Sequence, residues 1–190
     1  MRALLVQKLV VHNFNNPIVE IIKATISHVQ PVMDLISACN SDLRSRGIYQ
    51  WDNQYPNIEE VSNDQADGAL YVAMSSGFNI GAVSLNAQQE SAYQQVAWQF
   101  IEPSLVIHRL CVAPALQCRG IGASLLNFAE RYAHTAGYAS IRLDVYSGNS
   151  DTVNFYKKRG YRIAGEVFIP RRELPFVCME KMNYKSSGTV

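Results

Sequence analysis

The segment that most limits what this chain can become runs from Leu105 to Ala136. Leu105 to Val112 is a near-continuous apolar run, the pattern of a central strand covered on both faces. Pro114 ends it. Gln117-Cys118-Arg119-Gly120-Ile121-Gly122-Ala123 then leads into a predicted helix over 120–136. Its apolar stripe is Ile121, Leu125, Phe128, Ala129, Tyr132 and Ala136, and Gly137 stands at the C′ position. A strand that turns into a helix in this way leaves the first-turn amides and the positive end of the helix dipole at the turn. Gly120 and Gly122 let an anionic group approach that backbone with no Cβ in the way, and Arg119 adds positive charge. This is not a Walker loop, because no G-K-[ST] follows, and G-x-G-x-x-G is absent. A plain glycine-containing strand-to-helix turn is the other reading of the same residues.

The remaining elements follow from periodicity. Ile18 to Thr25 reads as a strand, and Ser27 as the N-cap of a helix running to about Arg46, with Val29, Val32, Met33, Ile36 and Cys39 at helical spacing. A second helix covers Ile58 to Gln65. Ala69–Met74 and Phe78–Leu85 form a hairpin around Ser75-Ser76-Gly77. Ser140–Tyr146 alternates Ile141, Leu143, Val145 against Arg142, Asp144, Tyr146 and is a strand. Asn149 or Ser150 caps a short helix ending near Gly160, and Tyr161–Phe168 and Phe176–Met182 are the last two strands. Strand-helix-strand around 105–146 requires a parallel pair, and the hairpins require antiparallel neighbours. The fold class is therefore α/β (α+β), a mixed sheet flanked by helices.

Composition narrows the class. At 190 residues the chain fits a single domain, with 1–17 as an appended N-terminal arm and 18–190 as the domain. The N-terminus lacks a signal-peptide cleavage pattern after its interrupted apolar run. A net charge of +1 gives no general attraction to nucleic acid or anionic lipid. The cysteines Cys39, Cys111, Cys118 and Cys178 have no metal-ligand spacing, so no metal is expected, and reduced thiols suit a cytoplasmic protein. No apolar run approaches the ~18 residues of a membrane span.

A second block supports a resemblance. Leu143-Asp144-Val145-Tyr146-Ser147-Gly148-Asn149 precedes Asn154-Phe155-Tyr156-Lys157-Lys158-Arg159-Gly160-Tyr161. Together with Gln117-x-x-Gly120-x-Gly122 this resembles the GNAT superfamily of N-acetyltransferases, in the right order across nearly the whole chain. The resemblance implies a mostly antiparallel sheet of about seven strands with a splayed parallel pair that holds the cofactor. Cys118 departs from the family, where glycine or a basic residue is common.

What the resemblance implies for function is acetyl transfer from acetyl-CoA to a primary amine of a small molecule or peptide, by direct attack in a ternary complex. An acyl-CoA-binding regulatory module without catalysis is the alternative. The turn residues Gln117, Cys118, Arg119, Gly120, Ile121, Gly122 and Ala123 would hold the pyrophosphate. Leu110, Cys111 and Val112 would pair with the pantetheine arm, as in strand addition, with Asn149 contacting the cofactor or simply capping its helix. Tyr156 matches the family's general acid, and a core tyrosine is the alternative. His108, two residues before Leu110 and so expected on the same face, suits a general base; a buried histidine is the alternative, and Glu59, Glu60 and Glu90 are the other candidates for the base, acting through water. Trp51, Tyr55, Tyr93 and Trp98 either line the acceptor pocket or close the core edge. Partners are acetyl-CoA and a small amine, without nucleic acid or membrane, and a homodimer stays open.

Overall fold

The computed structural model describes residues 19–100 and 102–183, so the expected arm 1–17 lies outside the described residues. In chain order the elements are β1 (Glu20–Lys23), α1 (Val29–Ser45), α2 (Ile58–Ala66), β2 (Leu70–Ser75), β3 (Phe78–Asn86), β4 (Ser104–Val112), α3 (Ile121–Thr135), β5 (Ser140–Tyr146), α4 (Ser150–Lys157), β6 (Arg162–Val167) and β7 (Phe176–Met182). Short 3-10 turns occupy Ile26–His28, Ser91–Gln95 and Pro114–Leu116. The first helix therefore begins later than Ser27, after a 3-10 turn, and β1 is shorter than the apolar run that announces it.

The strands form one sheet in the order β1-β2-β3-β4-β5-β7-β6. Every neighbouring pair is antiparallel except β4 and β5. That parallel ladder is short: Ser104 faces Ser140, Leu105 faces Ile141, Val106 faces Arg142, and pairing stops there. The Ser104 and Ser140 hydroxyls share a 2.7 Å hydrogen bond at the closed end. Beyond Val106 the strands separate.

A bulge in β4 accompanies the separation. The β3–β4 register slips between Ala82 and Ser84, and Arg109 sits at φ +52°. An extra residue in one strand bends it and increases its twist. It also reverses the alternation of faces. Leu105 and Ile107 pack with the α3 and α4 side, and so do Leu110 and Val112 on the far side of the bulge. His108, adjacent to Ile107, therefore points to the opposite face from Leu110, not to the same face as period-2 counting suggests.

Two layers cover the sheet. On one face α3 and α4 bury Leu125, Leu126 and Ala129 completely against Leu105, Ile141 and Leu143. Each such large apolar side chain contributes about 1.5–3 kcal/mol by leaving water. On the other face α1 and α2 bring Val32, Ile36 and Val61 onto Val72 and Ala82. The segment 87–103, here the strap, brings Tyr93 and Val96 onto Val106, Tyr146 and Cys178.

Candidate active site

Where β4 and β5 part, a cavity of about 410 Å³ opens through the sheet. Ile107, Leu110, Leu143, Val145 and Tyr156 line it from the α3/α4 side. Trp51 and Tyr55 of the α1–α2 loop line it from the other, together with Asp144, His108, Arg109, Glu60 and Glu90. Arg171, Arg172 and Phe176 close it from the β6–β7 connection. A splayed parallel pair of this kind leaves one edge of β4 without a strand partner, so a ligand can enter between the strands.

The glycine turn lies at the end of β4. Gly120 is the N-cap of α3 with φ +84°, a conformation a β-carbon strains. The helix ladder begins with the Ser124 N–H donating to the Gly120 carbonyl at 2.9 Å, which leaves the amides of Ile121, Gly122 and Ala123 at the open end. Ile121 anchors the turn in the core at 2% exposure. Gln117 donates its side-chain amide to the Val112 carbonyl at 3.2 Å and ties the turn to the strand. Cys118 is exposed at φ +60°. Cys111 is buried toward α1, where the Cys39 thiol donates to the Val112 carbonyl at 3.2 Å. This turn, with its open amides and free backbone approach, fits a pyrophosphate.

Tyr156 is buried on α4, with its ring 5.1 Å from Phe155 and 5.4 Å from Tyr161. Its hydroxyl makes no hydrogen bond with the described residues. Burial first, and the neighbouring Asp144 carboxylate second, raise its pKa above the ordinary tyrosine value, so the phenol keeps its proton. Asn149 caps α4: its Oδ1 accepts from the Thr152 N–H at 3.2 Å, and its Nδ2 donates to Gln50 Oε1 at 3.2 Å.

His108 sits in the cavity wall, where Nε2 lies 3.1 Å from Asn86 Oδ1 and 3.2 Å from the Gln88 carbonyl. A carbonyl only accepts, so Nε2 carries the hydrogen. Burial, with the Arg109 charge behind it, lowers the His108 pKa to about 4. The ring is thus neutral near pH 7 and a weak base. Arg109 itself donates to Asp64 Oδ2 through Nε at 2.9 Å and through Nη2, and to the Tyr55 hydroxyl at 3.0 Å. Ser84 donates to the same Asp64 oxygen at 2.5 Å. This buried network holds Tyr55 in the wall and the bulge in its strained conformation.

Asp144 lines the cavity and is not among the candidate residues read from the sequence. Its position in the alternation of β5 marks a strand but does not show what covers its polar face. The structure lays the strap over that face, and Tyr93 donates to Asp144 Oδ1 at 2.5 Å. Burial raises the pKa of this carboxyl, and the Tyr93 hydrogen bond opposes the rise. Tyr93 is 1% exposed and Trp98 donates its indole N–H to the Tyr93 carbonyl at 3.0 Å. Neither lines the cavity: of the four aromatics considered for the acceptor pocket, Trp51 and Tyr55 do, while Tyr93 and Trp98 close the core behind Asp144.

The cavity's outer wall is pinned by charge. Arg172 donates to Asp52 Oδ2 at 2.7 Å and to the Gln50 carbonyl at 2.9 Å, joining the β6–β7 connection to the α1–α2 loop. Burial pushes the Asp52 carboxyl up, but Arg172 and the Gln54 and Tyr55 amides outweigh it and hold it at about 2. A depressed carboxyl pKa contributes stability above the unfolded value of ~3.9, and that stability is lost as pH falls through the folded value. The melting temperatures of the wild type and Asp52→Asn should therefore converge between pH ~4 and ~2. A constant difference across that window would contradict the pairing.

A family model described as Acetyltransferase (GNAT) family matches residues 30–161. Among curated proteins, the chain is 28% identical over 127 residues to the uncharacterized N-acetyltransferase YesJ of Bacillus subtilis, covering 65% of this chain and 70% of that protein. It is 24% identical over 157 residues to the streptothricin acetyltransferase of Escherichia coli, covering 82% of each. A GNAT-family acetyltransferase from Streptococcus agalactiae superposes with a TM-score of 0.72 at 18% identity, covering 88% of this chain and 96% of that one. The PaiA N-acetyltransferase of Thermoplasma acidophilum, in complex with coenzyme A, superposes with a TM-score of 0.60 at 20% identity, covering 86% and 98%. At these identities the structural likeness establishes the fold, a mostly antiparallel seven-stranded sheet with one parallel pair. The family match covers more than half the chain, and the protein belongs to the GNAT family of acetyltransferases.

Proposed function

We propose that the protein transfers an acetyl group from acetyl-CoA to a primary amine of a small molecule or peptide, by direct attack within a ternary complex. The observation that carries this reading is the cavity through the splayed sheet. It has a donor side, with Leu110 and Tyr156 below the glycine turn at the end of β4, and an acceptor side, with Trp51, Tyr55, Asp144 and Glu90. Coenzyme A in the Thermoplasma structure supports the donor, and the name of the Escherichia relative supports a small-molecule acceptor.

In this reading the amides of Ile121, Gly122 and Ala123 bind the pyrophosphate, with Gln117, Cys118, Arg119 and Gly120 shaping the turn. The edge of β4 at Leu110, Cys111 and Val112 guides the pantetheine arm, and Asn149 fixes the start of α4 beside it. A backbone N–H at Leu110 stabilises the oxyanion. A base takes a proton from the acceptor's ammonium, the free amine attacks the thioester carbon to form the N–C bond, and as the C–S bond breaks Tyr156 protonates the leaving thiolate while the product nitrogen gives up its remaining extra proton. The base is Asp144 rather than His108. His108 is the weaker candidate because its Nε2–H is committed to the Gln88 carbonyl, and burial with the Arg109 charge holds its pKa at about 4. The pKa of Asp144 is raised toward the working range of a general base, and its charge is felt by Tyr156 across the cavity.

The turn gives a binding test. A Cβ on Gly122 would meet Val112 Cγ2 at 3.8 Å and Phe155 Cζ at 3.9 Å, ordinary contacts that the fold accepts. Gly122→Ala is expected to fold, and Gly122→Val, where it folds, to weaken acetyl-CoA binding by about 1–3 kcal/mol by calorimetry, through steric exclusion and lost amide contacts. An unchanged dissociation constant would remove the turn from the site. The acceptor is found by offering acetyl-CoA with streptothricin, polyamines, aminoglycosides, amino acids and short peptides, and locating the acetylated atom by mass spectrometry. Acetylation of oxygen alone would overturn the amine reading.

A further inference from the structure

The strap crosses the sheet over the polar face of β5, and buried charge fixes it there. Arg142, two residues before Asp144 on the same face, donates to Gln89 Oε1 at 2.8 Å, Glu102 Oε1 at 3.0 Å and the Phe100 carbonyl at 3.0 Å. Its guanidinium lies 4.6 Å from the Trp98 ring centroid. Glu180 on β7 is fully buried and accepts from the Gln99 and Phe100 amides at 3.0 and 3.2 Å. Between these anchors Tyr93 is packed at 5.3 Å from the Trp98 ring and directs its hydroxyl to the Asp144 carboxylate. A tyrosine carried by a strap this firmly tied is a preorganised donor, and its partner is a carboxylate in the cavity wall.

We propose that Tyr93 is a positioning residue for acyl transfer, which holds the Asp144 carboxylate toward the cavity in its proton-accepting form. The proposal rests on the reading of Asp144 as the base. A hydrogen bond to the ionised form of a carboxyl favours that form. The groups facing Asp144 divide accordingly. Burial and the Glu90 charge on the strap favour the protonated acid, while Tyr93 and Arg109 of β4 favour the carboxylate. Arg109 is already shared between Asp64 and the Tyr55 hydroxyl. Tyr156 of α4, Tyr55 and Cys178 of β7 keep their protons, since burial raises the pKa of each. Besides the backbone N–H of Asp144 itself, Tyr93 is therefore the side-chain donor that acts directly on the carboxylate.

The test is kcat/KM against pH with one acceptor amine throughout, so that the amine's own titration is common to all variants. Tyr93→Phe should move the lower ascending limb up by about one pH unit, with the high-pH plateau and the KM for acetyl-CoA retained. Incorporating 3-fluorotyrosine at position 93, a stronger donor of nearly the same shape, should move the limb down, and it serves also where Tyr93→Phe folds poorly. A structural role would lower the rate evenly at all pH and move neither limb, and that result would overturn the proposal. Asp144→Asn separates the two layers. If the limb survives in Asp144→Asn, the base reading fails and the proposal falls with it. If Asp144→Asn abolishes the limb while neither change at position 93 moves it, the base stands and only the role of Tyr93 is wrong.

Discussion

Asp144→Asn is expected to lower kcat/KM by about 100- to 10,000-fold, the range for removing a general base, while the protein folds and binds acetyl-CoA as before. Asparagine keeps the shape and still presents an oxygen to the Tyr93 hydroxyl, so the strap stays in place. What disappears is a group that takes the ammonium proton. The pH dependence has a definite sign. A base works only when unprotonated, so the wild-type rate rises as pH climbs through the Asp144 pKa. Burial places that pKa above the ordinary aspartate value, even against the Tyr93 hydrogen bond. His108→Gln, by contrast, should change the rate only a few-fold, since an imidazole held at about 4 contributes little driving force. The reverse ranking would return the base to His108.

Tyr156→Phe is expected to reduce turnover by ~10–1000-fold with little change in acetyl-CoA affinity or melting temperature. The ring packs against Phe155 and Tyr161, and phenylalanine preserves both contacts. The hydroxyl bonds to none of the described residues, so its removal leaves no buried partner stranded. The loss is moderate because a thiolate is already a fair leaving group. Steady-state rates and calorimetry on one preparation decide it. Full activity would make Tyr156 a packing residue, and a fall in stability without a specific rate effect would say the same.

Most of the fold is legible in residue order, because each helix and strand carries its own period. The stripe from Ile121 to Ala136 and the apolar run from Leu105 to Val112 need no long-range information. The site was less legible where it depends on pairings distant in sequence. The bulge at Arg109 is invisible to counting by twos, which assumes an unbroken ladder. The one sign of it was a charged residue inside an apolar strand, and its partner Asp64 lies on another element. Tyr93 and Trp98 fit either the acceptor pocket or the core edge from sequence, because periodicity does not say whether a loop aromatic faces a cavity or a core. Arg142 and Glu180, which decide it by anchoring the strap, contact residues 40 to 81 positions away.

Direct transfer makes a kinetic demand that chemistry on the enzyme does not. With the acceptor identified, initial rates measured over a grid of acetyl-CoA and amine concentrations should give double-reciprocal lines that intersect. One coenzyme A thiol should be released for each acetylated amine. Parallel lines would mean that the acetyl group leaves acetyl-CoA before the amine arrives. Thiol release without acetylated product would mean hydrolysis. Either result, from protein that folds and binds acetyl-CoA, would contradict direct attack across the cavity between β4 and β5.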